Sequence, residues 1–158
     1  MGKDIFIILQ VVFPVIAGGL LFLLPCRENR KFQKLYVTAV LVMEAILVFG
    51  TLFIETTSVE CFYLTPEVRM ILCNDGLSRL FCVLVTVVWL LVGIYSFRYL
   101  EHSEKPIMFF GFYVISLGVL QGIGLAGNLV AFYLFYEWMT LMTVPLVFFT
   151  RSRESIHA

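Results

Sequence analysis

Five long apolar stretches separated by short polar ones set the pattern of this 158-residue chain. Crossing about 30 Å of hydrocarbon takes roughly 20 apolar residues in a helix. The stretches meet that length and predict helices over Ile5 to Leu24, Leu35 to Ile54, Gly76 to Leu100, Pro106 to Ala126 and Asn128 to Thr150. Pro25 closes the first of them. Pro14, Gly18, Gly19, Gly50, Gly93, Gly111, Gly118 and Pro145 fall inside the runs, where membrane helices accept them.

The longest connection, Glu55 to Asp75, has a different period. Val59 to Leu64 and Val68 to Leu72 are β-favouring runs on either side of Thr65-Pro66-Glu67, which predicts a short hairpin on the membrane surface. Asn74 or Asp75 supplies an N-cap for the third helix, with Gly76 entering its first turn. The fourth and fifth runs are separated only by Gly127 and its neighbours, so they form a tight antiparallel pair. The expected fold is all-α and integral to the membrane. It has five transmembrane helices, an extramembrane β-hairpin between helices 2 and 3, and a single membrane domain over residues 1–158. No soluble domain, low-complexity segment or internal repeat interrupts it.

Composition agrees. Hydrophobic residues make up 61% of the chain, charged ones 14%, and mean hydropathy is +0.97, more apolar surface than a soluble domain of this size can bury. A net charge of zero gives no sign of a nucleic-acid partner. Cys26, Cys61, Cys73 and Cys82 lack CxxC spacing and a nearby histidine, so neither a metal nor any other cofactor is expected in this chain. A Cys61–Cys73 disulfide is possible in spacing but unforced. The first apolar run is too long for a signal-peptide core and lacks a small-x-small cleavage site, so it reads as a retained helix.

The basic residues set an orientation. Arg27, Arg30, Lys31, Lys34, Arg98, Lys105, Arg151 and Arg153 fall on one side, and Lys3, Arg69 and Arg79 on the other. Eight against three places the amino terminus outside the cell (inner) membrane and the carboxyl terminus in the cytoplasm.

Two carboxylates interrupt the apolar runs. Glu137 sits near the middle of the fifth, in Phe135-Tyr136-Glu137-Trp138-Met139-Thr140-Leu141. An ionised side chain at mid-bilayer costs about 3 kcal/mol on insertion scales. No Lys or Arg of the chain lies at that depth, so a basic partner must come from another chain, which suggests proton or ion translocation within a larger complex. The bland alternative is an interfacial or structural carboxylate, and the central position argues against an interfacial one. Glu44, in Leu41-Val42-Met43-Glu44-Ala45, is equally deep. It is a candidate for transport, for hydrogen-bonding glue between helices, or for an interface with another subunit. Gln10 and Gln121 suit interhelical hydrogen bonds. Gly118, Gly122, Gly124 and Ala126 suit close helix packing, while Phe109, Phe110, Phe112 and Tyr113 suit lipid contact and the aromatic belt. His102 and His157 lie among charged or terminal residues and read as solvated.

Taken in order, two helices, a surface hairpin, Asp75-Gly76-Leu77-Ser78 opening the third helix, Gly127-Asn128-Leu129, and Phe135-Tyr136-Glu137-Trp138-Met139 resemble the amino-terminal part of antiporter-like subunits. These occur in respiratory complex I, in multisubunit cation/proton antiporters, and in membrane-bound hydrogenases including formate hydrogenlyase. In that family the fifth-helix glutamate modulates a lysine on a broken seventh helix, and the match carries this role to Glu137 only. Tyr136 and Trp138 depart mildly from the family's Trp and Leu. The broken helix and its lysine have no counterpart before Ala158. The resemblance therefore implies the first half of a translocation module, either a split half or a shortened paralogue. A second chain completes it, other membrane and redox subunits and membrane lipids surround it, and redox catalysis lies elsewhere. A scaffold or assembly subunit of such a complex, and a small independent oligomeric channel or transporter, are the alternatives.

Overall fold

The structure, a computed structural model, describes residues 2–23, 30–65, 68–100 and 106–154. Helices α1 (Gly2–Leu23), α2 (Arg30–Thr51), α3 (Gly76–Tyr99), α4 (Pro106–Gly124) and α5 (Leu129–Glu154) follow one another along the chain. A two-stranded antiparallel ladder, β1 (Thr57–Thr65) and β2 (Val68–Asn74), stands between α2 and α3. All five helices are long and apolar enough to span a membrane, and the chain is a multi-pass membrane protein.

The helix ends differ from the apolar runs that announce them. α2 begins at Arg30 rather than Leu35, because its first turns carry polar residues and one of them, Gln33, is buried. It ends at Thr51, where single-turn bonds take over (Leu52 N–H to Phe49 O, 3.2 Å; Phe53 N–H to Gly50 O, 3.3 Å). α5 continues past Thr150 to Glu154. Hydropathy marks the part of a helix that lipid or core requires to be apolar, and backbone bonding runs beyond it.

α4 is the central helix, packed against α1, α2, α3 and α5. It is apolar all round, as a helix enclosed on every side must be. Phe110 and Tyr113 therefore point inward and are buried, not lipid-facing as the aromatic-belt reading expected. Tyr113 stacks on Trp89 of α3, with ring centroids 5.7 Å apart. The two residues also exchange hydrogen bonds: Trp89 Nε1–H donates to Tyr113 O (3.1 Å), and the Tyr113 hydroxyl donates to Trp89 O.

Small residues set the α1–α4 spacing. A methyl group on Gly118 would lie 2.7 Å from Val11 O and 2.8 Å from Val15 Cγ2. One on Gly18 would lie 2.8 Å from Gly111 O. Backbones pack directly there, as small residues permit in membranes.

The hairpin caps one end of the bundle. Asp75 is the N-cap of α3, and its carboxylate accepts the Ser78 N–H at 2.7 Å. That bond, with a second from the Ser78 hydroxyl, holds the Asp75 carboxyl below the usual carboxylate range. Asn74 does not cap; it is buried and donates to Thr51 O at the end of α2 (3.3 Å). The α4–α5 turn adds itself to the edge of β2: Cys73 N–H donates to Leu125 O at 2.6 Å, and Gly127 N–H donates to Ile71 O at 2.8 Å. Asn128 then caps α5 by accepting the Ala131 N–H (3.0 Å) and donates its amide to Arg69 O. Pairing at this edge leaves fewer unsatisfied backbone groups near the membrane.

Cys61, Cys73 and Cys82 are free thiols, so the unforced Cys61–Cys73 disulfide does not form. Cys26, Arg27, Pro66, Glu67, His102, Lys105 and His157 lie outside the described residues.

Candidate functional site

The two membrane carboxylates face opposite ways. Glu44 lies seven residues before the end of α2 at Thr51, and Glu137 lies eight residues after the start of α5 at Leu129. At about 1.5 Å per residue both sit some 10–12 Å below the hairpin end of their helices. Glu44 points into the bundle with no exposed surface, and Glu137 points out of it.

Around Glu44 four helices bring polar groups together. Gln10 of α1 donates through Nε2 to Oε1 of Gln121 on α4, at 3.0 Å. Gln121 donates through Nε2 to Thr86 Oγ1 on α3 at 2.8 Å, and more weakly to Cys82 O at 3.4 Å. Thr86 passes its own proton back to Cys82 O (2.8 Å). The Cys82 thiol is within hydrogen-bonding reach of Gln10 and is coupled electrostatically to Glu44. Gln10, Gln121, Glu44, Thr86 and Cys82 are all buried.

The two glutamines do what interhelical amides were expected to do. Glu44 makes no such bond: neither of its carboxylate oxygens has a hydrogen-bond partner among the described residues. Oε1 of Gln10 is the third unpartnered oxygen in the same interior.

α5 supplies the second carboxylate on the least buried of the five spans. Leu129, Tyr133, Leu141, Val144 and Phe148 form an exposed stripe along it, and Glu137 lies on the same stripe. Tyr133, one turn earlier, lies beside Glu137 on that stripe. Thr140, one turn later, donates to Glu137 O at 2.7 Å. The outer face of α5 therefore carries three polar side chains, Tyr133, Glu137 and Thr140, in the middle of an apolar helix. Glu44 and Glu137 do not meet within this chain.

On the hairpin, Glu60 accepts from the Tyr63 hydroxyl (2.8 Å) and from Arg69 Nη1 (2.8 Å). Both hold its carboxyl below the usual range. The Arg69 guanidinium lies over the Tyr63 ring at 5.6 Å. All three side chains are exposed, so the group orders a surface and encloses no site. Sequence reading missed this cluster, and also the Asn128 bond to the hairpin; Asn at a helix start is a cap signal, but its second partner is 59 residues away.

Comparison with known proteins agrees with the resemblance drawn from motifs. The family model described as the amino terminus of NADH-ubiquinone oxidoreductase (complex I) chain 5 matches residues 66–110. The Na⁺/H⁺ antiporter subunit A1 of Staphylococcus haemolyticus (strain JCSC1435) is 36% identical over 81 residues, covering 51% of this chain and 10% of that protein. The subunit A1 of Staphylococcus aureus (strain JH9) is 33% identical over the same length. Among solved structures, a chain of the membrane-bound sulfane sulfur reductase, an archaeal respiratory membrane complex, superimposes with a TM-score of 0.62. It is 21% identical and covers 89% of this chain and 22% of that one. The chain thus spans about a tenth of the length of the curated relatives it matches. In sequence and fold it is similar to a segment of an antiporter-like membrane subunit.

Proposed function

We infer that this chain is a membrane subunit of a proton- or sodium-translocating complex, and that it supplies the first part of an antiporter-like module with Glu137 as its midplane protonatable group. One observation carries the reading: Glu137, flanked by Tyr133 and Thr140, lies on an exposed face about 12 Å inside a membrane helix. Lipid cannot solvate that face, so another membrane segment covers it. A basic residue on the covering segment completes the site. With the cation close, the carboxylate is stabilised; with the cation withdrawn, the carboxyl binds a proton. Movement of that cation couples conformational or redox events elsewhere in the complex to proton affinity at Glu137. The names of the relatives, an Na⁺/H⁺ antiporter subunit and a respiratory membrane complex, support this coupling.

The test is site-specific photo-crosslinking in native membranes. A photoreactive residue at Leu141, one turn from Glu137 on the exposed stripe, should yield a crosslink to a membrane segment bearing Lys or Arg. The same residue at Ile5, exposed on α1, serves as the comparison. If Leu141 crosslinks only to lipid, α5 has no covering partner and the reading fails.

A further inference from the structure

The buried cluster around Glu44 has a second consequence, independent of α5. A carboxylate with no exposed surface and no hydrogen-bond donor is among the most costly groups a membrane interior can hold. The chain nevertheless assembles oxygen after oxygen there. Both Glu44 oxygens and Gln10 Oε1 are buried and have no hydrogen-bond partner among the described residues, so three acceptors of this interior are left without a donor. The amide protons nearby point elsewhere: Gln10 Nε2 donates to Gln121 and has the Cys82 thiol within reach, and Gln121 Nε2 donates to Thr86 and Cys82 O. A surplus of acceptors around one negative charge is the chemistry of a site for a small cation.

We propose that Glu44, with Gln10, Gln121, Thr86 and Cys82, forms an internal site of this chain that reversibly holds one monovalent cation, either a proton on the Glu44 carboxyl or Na⁺ among the same oxygens. Charge balance follows in both cases, since the bound cation neutralises the single carboxylate. With a proton bound, Glu44 becomes the one missing donor. With Na⁺ bound, the two Glu44 oxygens and Gln10 Oε1 are the hard ligands on offer, of the kind that ion prefers.

The surroundings are consistent with exchange of that cation and not with a fixed ion pair. α2 packs against α1, α3 and α4. α1 and α4 contribute the neutral amides of Gln10 and Gln121, and α3 contributes the Cys82 thiol and the Thr86 hydroxyl. Among the described ionisable side chains of the bundle, Tyr36 and Tyr113 donate to backbone carbonyls, Ala17 O and Trp89 O respectively. Arg79, one turn before Cys82 on α3, donates through Nη2 to Asn74 O at the hairpin end (3.3 Å) and makes no ion pair with Glu44, whose two oxygens have no partner. The site thus lies within the four helices α1 to α4, whereas Glu137 faces away from them. It rests on the translocation reading only for its purpose, because its occupancy is measurable whether or not Glu137 takes part in pumping.

Infrared difference spectroscopy on the assembled complex tests it. In sodium-free buffer a neutral-carboxyl C=O band should be present, shift on exchange into D₂O, and vanish in Glu44→Gln. It should survive in Glu137→Gln, which separates this site from the α5 carboxylate. Loss of the band on adding Na⁺ identifies Na⁺ as the occupant; a band that ignores Na⁺ and titrates with pH identifies the proton. Should Glu44→Gln fail to assemble, Cys82→Ala serves in its place, since removing the coupled thiol should displace the same band. A complex with no neutral-carboxyl band in sodium-free buffer overturns the proposal. So does a band that neither exchanges nor responds to pH or Na⁺, which would make Glu44 a sealed structural group.

Discussion

Gly118→Ala is the smallest change that tests how the bundle is held together. The added methyl would lie 2.7 Å from Val11 O, 2.8 Å from Val15 Cγ2 and 3.2 Å from Val15 N. Two of these are backbone atoms, so no side-chain rotation relieves the contact. Ordinary contact begins near 3.4 Å, which requires α1 and α4 to separate by about 0.7 Å locally. Overpacking of this kind costs about 1–3 kcal/mol. The same separation stretches the Gln10–Gln121 bond from 3.0 Å beyond hydrogen-bond range, since Gln10 adjoins Val11 and Gln121 lies one turn from Gly118. An interhelical bond in a membrane contributes about 0.6 kcal/mol on average. Together these give a loss of roughly 1.6–3.6 kcal/mol, or a fall of roughly 3–14 °C in melting temperature for a domain of this size. Gly19→Ala is the matched control, because a methyl there meets nothing within 4 Å. Thermal melts of both variants in the same detergent decide the matter. Equal melting of Gly118→Ala and wild type would show that α1 and α4 do not meet through this glycine.

Other outcomes follow from single contacts. Asp75→Ala should lower stability by about 1 kcal/mol through loss of the α3 cap. Because the Asp75 carboxyl is held below its ordinary value, the cap's contribution is present above the unfolded-state value near 4 and declines as pH falls through the lower folded value. Asp75→Asn should keep the cap and lose that acid dependence, which melts at two pH values would reveal. Asn128→Ala removes both the α5 cap and the tie to Arg69, so hydrogen exchange in β2 should quicken along with that of the first turn of α5; a change confined to α5 would contradict the tie. The basic-residue asymmetry predicts a cytoplasmic Lys31, so Lys31→Cys, in a background without the native cysteines, should resist an impermeant thiol reagent added outside intact cells; modification there would reverse the predicted orientation.

The sequence was most legible where chemistry is one-dimensional. Apolar run length announces five spans, and the change from helical period to β-favouring residues after Glu55 announces the hairpin. Asp75 and Gly118 act through neighbours or close approach, for which residue type is a direct signal. What stayed hidden depends on which helix is central. Phe110 and Tyr113 look like any aromatic pair at a membrane helix end, and only the enclosure of α4 on all sides makes them core. Glu44 and Glu137 likewise look alike along the chain, each a lone carboxylate in an apolar run. Rotation of α2 and α5 within the bundle buries one and exposes the other, and single-helix periodicity does not show that. The junction of the α4–α5 turn with β2 is backbone pairing across more than 50 residues, which no local pattern encodes.

Proton or sodium pumping by Glu137→Gln, measured in membranes where assembly of the complex is confirmed, bears most directly on the role assigned to α5. The amide keeps the size and hydrogen-bonding capacity of the side chain but removes the charge that a neighbouring cation would sense. Pumping should fall sharply while assembly stays intact. Full pumping in the assembled variant would leave Glu137 a structural residue and the chain a scaffold for translocation carried out elsewhere.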